Sequence, residues 1–428
     1  MPTTHPTVAQ AVEAQLQRYA RFGVDLGLSR IEQLLQSLDN PHHQVPIVHV
    51  AGTNGKGSVC AYLSSVLTAA GYRTGRYTSP HLISWTERIC IDNQPISWPA
   101  LQKTLAVIES AIQANPAKPT PTQFEVITAA AWQHFATQKV DIAVIEVGLG
   151  GRLDATNVCK HPLATVIVSI GRDHWQRLGD TIAEIAAEKA GILKPGVPAI
   201  AGPLPPEAKT TIAQKAKTLQ APLAWIEPAQ TVPNQPQTLT YQGIEYPQAL
   251  LGEHQKINSA CAIATLQTLR AQGWNLPNSA IAQGMSQVTW PGRLQPYQWQ
   301  GHPLLIDGAH NTDSARSLRT YLDNTYPNQP ITWLMGMLQT KDHKGVFQAL
   351  LRPGDTLHLT SVPGHLSADP KALEAIAQTI CPTLAAVQTH PALKVALQAA
   401  TQSKEDSPPA VFCGSLYLIG HFYETESN

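Results

Sequence analysis

The sequence has no surplus of either charge: 30 Lys and Arg stand against 30 Asp and Glu, with no run of basic residues that would form a stripe. Without a basic field to hold a phosphodiester backbone, nucleic acid is excluded as a partner. Also missing is any apolar run near the ~20 residues that cross a bilayer, and residues 1–6 have neither the basic nor the apolar region of a leader. The expectation is a cytoplasmic protein with no membrane partner. Cysteine is sparse: Cys60, Cys90, Cys159, Cys261, Cys381 and Cys413 lie far apart and make no Cys-x-x-Cys pair. They read as reduced, separately buried thiols, which excludes a disulfide frame or a zinc site. No internal repeat or low-complexity tract is evident. What remains is a globular chain of 428 residues, 43% hydrophobic and 14% charged, long enough for two cores.

Val- and Ile-rich runs at 45–50, 140–147 and 164–170 alternate with helical patterning at 56–70, 123–137 and 181–190. Apolar runs without polar alternation are what strands covered on both faces look like. Strands separated by helices predict a mainly parallel sheet with helical crossovers. A second series follows Trp290-Pro-Gly-Arg293, with strand-like 303–306, 331–335, 356–360 and 409–412 between helix-like 311–321 and 370–379. The fold class is therefore α/β, with a larger domain at 1–294 and a smaller Rossmann-like one at 295–428. The proline-rich pieces 203–206 and 228–236 read as loops around a peripheral excursion of the first domain.

Ligands of open parallel sheets bind beyond the carboxyl ends of the strands, and four such ends carry polar groups. The first is Ala51-Gly-Thr-Asn-Gly-Lys-Gly-Ser58 between a strand and a helix. Its glycines let backbone N–H groups close on phosphate oxygens, Lys56 can reach the terminal phosphates, and Ser58 can hold Mg²⁺. The spacing departs from G-x-x-x-x-G-K-[ST], and the plain alternative is a glycine-rich turn. The second end, Thr78-Ser-Pro-His81, is by itself a turn. The third is Glu146, a carboxylate closing an apolar strand, which must be paired or hold a metal; Arg152 is the candidate partner if it is paired. The fourth is Gly171-Arg-Asp-His174, where His174 is either a metal ligand or a satisfied core histidine.

The segment from Thr181 to Gly191 opens with a Thr-x-x-Glu capping box and closes on glycine. Lys189 extends the apolar stripe of Ile182, Ile185 and Ala186. Either its stem snorkels outward, or it is buried with a shifted pKa, and then a neutral amine can take up CO₂ as a carbamate.

Together these segments resemble the folylpolyglutamate synthase and dihydrofolate synthase family, relatives of the Mur-type ligases. The quotable pieces are Val50-Ala-Gly-Thr-Asn-Gly-Lys-Gly-Ser-Val59, Ser79-Pro-His-Leu82, Glu87-Arg-Ile89, Gln123-Phe-Glu125, Glu146 to Asn157, Asp173-His174 and Glu188-Lys-Ala-Gly-Ile192. Further along come His254-Gln255, Asn258, Trp290-Pro-Gly-Arg293, Asp307-Gly-Ala-His-Asn311, Lys341-Asp342 and Cys413-Gly-Ser-Leu-Tyr417. The resemblance departs at Thr312, where the family usually has proline, and at Gln339-Thr-Lys-Asp342, where an acidic residue is commoner before the lysine.

The resemblance implies a P-loop domain like the Mur-ligase central domain and an ATP-dependent ligation of L-glutamate to a folate-type carboxylate through an acyl phosphate. Asn54, Gly55, Lys56, Gly57 and Ser58 would cradle ATP, Asn258 would lie near the adenine, and Arg293 and Asp307 would bring the second domain onto the nucleotide. Ser58, Ser79, Glu146, His174 and a carbamylated Lys189 would serve two Mg²⁺ ions. Catalysis would fall to Lys56, Glu146, His174 and Lys189. Thr122, Gln123, Phe124 and Glu125 with Leu153, Asp154 and Ala155 would line the pterin side, and His310 and Ser415 the cleft face of the second domain. The implied substrates are L-glutamate, dihydropteroate and reduced folates, and the implied state is a monomer. The alternatives are one of the two synthase activities alone, or a sibling Mur-type ligase with another acceptor. A GTPase-like switch would need an Asn-Lys-x-Asp guanine reader, which the sequence lacks.

Overall fold

The computed structural model describes residues 7–20, 25–115, 118–402 and 408–426; the segment 1–6, read above for a leader, lies outside them. The chain forms two units, Met1–Ala249 with Lys256–Val288, and Leu250–Gln255 with Thr289–Asn428. The division falls at Val288, ahead of the 294 read from sequence, and the short return of 250–255 into the second unit has no compositional mark. Among the described residues no helix is long and apolar enough to cross a membrane.

The first unit is built on eight strands: β1 (Ile47–Ala51), β2 (Thr74–Tyr77), β3 (Ile89–Ile91), β4 (Gln94–Pro95), β5 (Ile142–Glu146), β6 (Ala164–Ile167), β7 (Ala199–Ala201) and β8 (Leu223–Trp225). Their order is β4-β3-β2-β5-β1-β6-β7-β8, parallel from β2 to β8 and antiparallel only at β3 and β4. Every residue of β1 and β5 is buried, which is why their sequences show no polar alternation and, apart from His49 and Glu146, are apolar. The chain leaves β1 toward β2 on one side and leaves β5 toward β6 on the other. The sheet therefore changes direction between these two neighbours, and their carboxyl ends flank the crevice where such sheets bind ligands.

The excursion expected as loops is more regular than that. Three strands, β9 (Gln230–Val232), β10 (Gln235–Tyr241) and β11 (Ile244–Pro247), form a small antiparallel sheet. Pro236 is tolerated in β10 because the register with β9 slips between Gln235 and Leu239, and pairing with β11 starts only at Thr238. The sequence pattern also gave no notice of the helix Val8–Ala20.

The second unit has six strands, β12 (Gln295–Trp299), β13 (His302–Ile306), β14 (Thr332–Met335), β15 (Thr356–Leu359), β16 (Ala386–Thr389) and β17 (Ala410–Cys413). They are ordered β12-β13-β17-β14-β15-β16 and only β12 is antiparallel. Both units are α/β layers, as the alternating pattern predicted.

Candidate functional site

The loop between β1 and the helix Lys56–Ala69 is anchored to the segment after β6. Thr53 N donates to Ser169 O at 2.8 Å, Asn54 N donates to Ser169 Oγ at 2.9 Å, and Gly171 N donates to Thr53 Oγ1 at 3.0 Å. Gly55 opens the helix with φ of 81°, a left-handed conformation that suits glycine. A Cβ there would run into Asn258 Oδ1 and come within 2.8 Å of Val168 Cγ1. Asn258, on the helix Glu253–Ala271, thus touches the loop at its turn, while Ser58 is buried in the first turn of its own helix.

Two lysines converge on one carbonyl of this loop. Lys56 Nζ and Lys189 Nζ each donate to Gly52 O at 3.0 Å. Lys189 closes the helix Ile182–Lys189, whose Thr181 capping box is formed as the sequence predicted, and it is buried with Ile185 and Ala186. Burial, reinforced by the Lys56 cation, lowers its amine from 10.5 to about 7, while Asp173 and Asp154 act in the opposite sense. An amine depressed from 10.5 to about 7 binds fewer protons folded than unfolded between those values. Stability is highest above the unfolded pKa and is lost as pH falls toward the folded one. Lys189→Met is expected to flatten the rise of unfolding free energy between pH 7 and 10 in CO₂-free buffer, as read by urea titration; an unchanged slope means the amine is not buried neutral.

Glu146 is buried at the end of β5, and its Oε2 accepts from Ser79 N at 3.1 Å. Arg152, the ion-pair partner considered for it from sequence, instead pairs with Glu188 at 2.7 Å. That arrangement corrects the Glu146–Arg152 alternative. The turn at 149–152 brings Arg152 N to Glu188 O at 2.8 Å, so its side chain lies along the helix that carries Lys189. His174 has φ of 52° and a half-exposed side chain; its N donates to Asp173 Oδ1 at 2.9 Å. It is therefore not a packed core histidine. Asp173, buried and acting on Lys189, is a site residue whose place in the linear sequence beside His174 does not disclose that role.

The residues assigned to the pterin side are tied into the scaffold. Thr122 caps the helix Gln123–Thr137, and Glu125 returns the capping bond to Thr122 N at 2.6 Å while pairing with Arg30 at 3.1 Å. Gln123 Nε2 donates to Leu16 O at 3.1 Å. Phe124 packs against Gly148, which has no room for a side chain, and its ring lies 6.2 Å from that of Tyr77. Leu153 O accepts from Gly27 N at 3.3 Å, and Ala155 is buried. Asp154 accepts from Leu149 N at 2.8 Å and Thr156 Oγ1 at 2.6 Å, and burial raises its carboxyl despite those bonds.

In the second unit, Asp307 is buried after β13 and accepts from Leu294 N at 2.8 Å and Ala309 N at 2.9 Å. Arg293 NH1 donates to Gly292 O at 3.0 Å and fills the space a side chain at Gly308 would need. His310 Nδ1 donates to Gly308 O at 2.8 Å, and Ser415 caps the helix Leu416–Thr425. These four residues share the carboxyl ends of β13 and β17, which are neighbours.

Comparison with known proteins gives the same answer in both parts of the chain. The Mur ligase middle domain family matches residues 50–266, and the C-terminal domain of dihydrofolate synthetase matches 293–425. The chain is 36% identical to dihydrofolate synthetase of Saccharomyces cerevisiae over 93% of its length and 97% of that protein's. It is 37% identical to folylpolyglutamate synthase of Lacticaseibacillus casei over 92% and 93%. Folylpolyglutamate synthase of Mycobacterium tuberculosis complexed with ADP and AMPPCP superposes with a TM-score of 0.86 at 32% identity, covering 98% of each chain. E. coli FolC in complex with DHPP and ADP gives 0.84 at 29% identity, again over 98% of each. The chain belongs to the dihydrofolate synthase/folylpolyglutamate synthase family. It is an ATP-dependent ligase.

For a member of this family the loop at 52–58 fits a nucleotide phosphate: Gly55 makes a left-handed turn at the helix N-terminus, packed too closely on Asn258 and Val168 for a side chain, and two amines face the loop. A magnesium site fits less conventionally. Among the described residues no three His, Cys, Asp or Glu side chains gather to hold a metal. Mg²⁺ is commonly held by one or two carboxylates, with phosphate oxygens and waters completing the shell, so Glu146, Ser58, Ser79 and His174 suit it in the presence of ATP. Ser169, which holds both sides of the loop at Asn54, was missed from sequence; its only signal is a hydroxyl inside an apolar run.

Proposed function

We propose that the protein adds L-glutamate both to dihydropteroate and to reduced folates, each time by activating a carboxylate as an acyl phosphate. The observation that carries the site is the shared Gly52 carbonyl: the nucleotide-loop lysine and a buried, easily neutralised Lys189 meet at the strand end beside Glu146. A carboxylate is a poor electrophile, and phosphorylation gives it a leaving group that the glutamate amine can displace.

In this reading the backbone N–H groups of 55–58 bind the phosphates and Lys56 swings from the Gly52 carbonyl to the terminal phosphate. Bound Mg²⁺ would supply charge neutralisation and orientation at the phosphates, held by Ser58, Ser79, Glu146, His174 and the Lys189 carbamate. A carbamate keeps one N–H, so Lys189 can retain its bond to Gly52 O after modification. Asn258 would meet the nucleoside from its place against Gly55. Thr122 to Glu125 and Leu153 to Ala155 would hold the pterin, and Arg293, Asp307, His310 and Ser415 would act from the second unit. A cytoplasmic monomer completes the proposal, and sedimentation is expected to give a single species of monomer mass.

The acyl-phosphate route is tested with dihydropteroate labelled with ¹⁸O in its carboxylate. One ¹⁸O is expected in the released inorganic phosphate and one in the product amide. Unlabelled phosphate rules the route out.

A further inference from the structure

The phosphate loop leaves one buried polar group of β1 without a task. His49 is fully buried and lies in register between Ile145 of β5 and Thr165 of β6. Its Nε2 is 2.9 Å from the Thr156 hydroxyl, and that hydroxyl donates to Asp154 Oδ1 at 2.6 Å. A hydroxyl has a single proton to give. Because Thr156 gives it to the carboxylate, its oxygen accepts, and His49 must carry its own proton on Nε2. Nδ1 is then a bare lone pair, and it has no hydrogen-bond partner. A leucine at an interior strand position would leave no such unmet acceptor. What the imidazole adds is the directed donor.

That donor starts a chain that ends in the loop after β5. Asp154 Oδ1 also accepts from Thr156 N at 3.0 Å, and Oδ2 accepts from Leu149 N at 2.8 Å. The far side of the loop is fixed by Asn157 Nδ2, which donates to Arg152 O at 3.0 Å and to Gly191 O at 3.1 Å, just past Lys189. Both halves of the reaction thereby take their position from one strand: β1 ends in the phosphate loop and, through His49, holds the loop that contains Leu153, Asp154 and Ala155.

We propose that His49 is a positioning residue for acceptor binding, acting through Thr156 on Asp154 and so on the loop 148–157. This rests on the reading of Leu153 to Ala155 as the pterin side. The test uses His49→Leu, His49→Gln, Thr156→Val and the double variant His49→Leu/Thr156→Val, with dihydropteroate, ATP and glutamate each varied. Expected is a rise of about tenfold in KM for dihydropteroate in His49→Leu and in Thr156→Val, with KM for ATP within about twofold. His49→Gln, which offers an amide N–H at comparable reach, is expected to recover to within about threefold of the parent, and the double variant to be no worse than either single one. Equal rises in both KM values, additive effects, or a His49→Gln as poor as His49→Leu overturn the proposal.

Hydrogen exchange provides a readout without turnover. In His49→Leu the amides of Leu149 and Thr156 are expected to exchange faster while ATP still protects 53–58. Unchanged exchange at those two amides overturns the proposal even if the parent enzyme proves not to use dihydropteroate, an outcome that would count only against the functional reading.

Discussion

Gly55→Ala is expected to weaken ATP binding about 100-fold, which is about 2.7 kcal/mol. Two costs combine. A side chain at φ of 81° sits in the left-handed region, at about 1–2 kcal/mol for an L-residue. The added Cβ would also stand within 2.8 Å of Val168 Cγ1 and overlap Asn258 Oδ1, so the loop can keep its curvature only by displacing the asparagine. Gly71→Ala separates the two costs, because Gly71 has φ of 90° and nothing within 4 Å of a Cβ. That variant is expected to lose stability and bind ATP as the parent does. Calorimetric titration with a non-hydrolysable ATP analogue reads both. A Gly55→Ala protein that binds within about threefold of the parent would remove the phosphate-cradle role from this loop.

Glu146→Gln is the second large effect, a fall of about 1,000-fold in kcat, equivalent to about 4 kcal/mol of transition-state stabilisation. The substitution is nearly isosteric, and its amide oxygen can still accept from Ser79 N as Glu146 Oε2 does now. The fold and the turn after β2 therefore survive, and what is lost is a negative charge buried beside the phosphate loop. Metal-free ATP binding is expected to change by less than about threefold, and the dependence of rate on Mg²⁺ to shift to higher concentration. A variant with kcat within about tenfold of the parent would leave Glu146 as a structural carboxylate only.

The architecture was readable where local chemistry and burial point the same way. Strand, glycine turn and helix at 47–69 follow from apolar runs and glycines that need no distant partner. The Thr181 capping box and the face carrying Lys189 follow from helical spacing alone. Readability ended where a partner is chosen by tertiary contact. Arg152 lies six residues from Glu146 in sequence, yet it pairs with Glu188 because the turn at 149–152 packs against the end of the Lys189 helix. Glu125 pairs with Arg30, a partner far upstream that no local pattern names. The bonds that tie both oxygens of Asp154 into its own loop are likewise set by the fold of that loop. The strand at Pro236 was hidden because proline argues against a ladder except where pairing is already broken. The return of 250–255 to the second unit carries no signal in composition or periodicity.

The most direct measurement is phosphate release from ATP with Mg²⁺ and L-glutamate, comparing dihydropteroate, tetrahydrofolate and no acceptor, with mass spectrometry of the products. Expected are products one glutamate heavier from both acceptors and no glutamate-dependent release without one. Product from a single acceptor would reduce the enzyme to that activity, and product from neither would contradict the folate assignment and favour a Mur-type ligase with another acceptor.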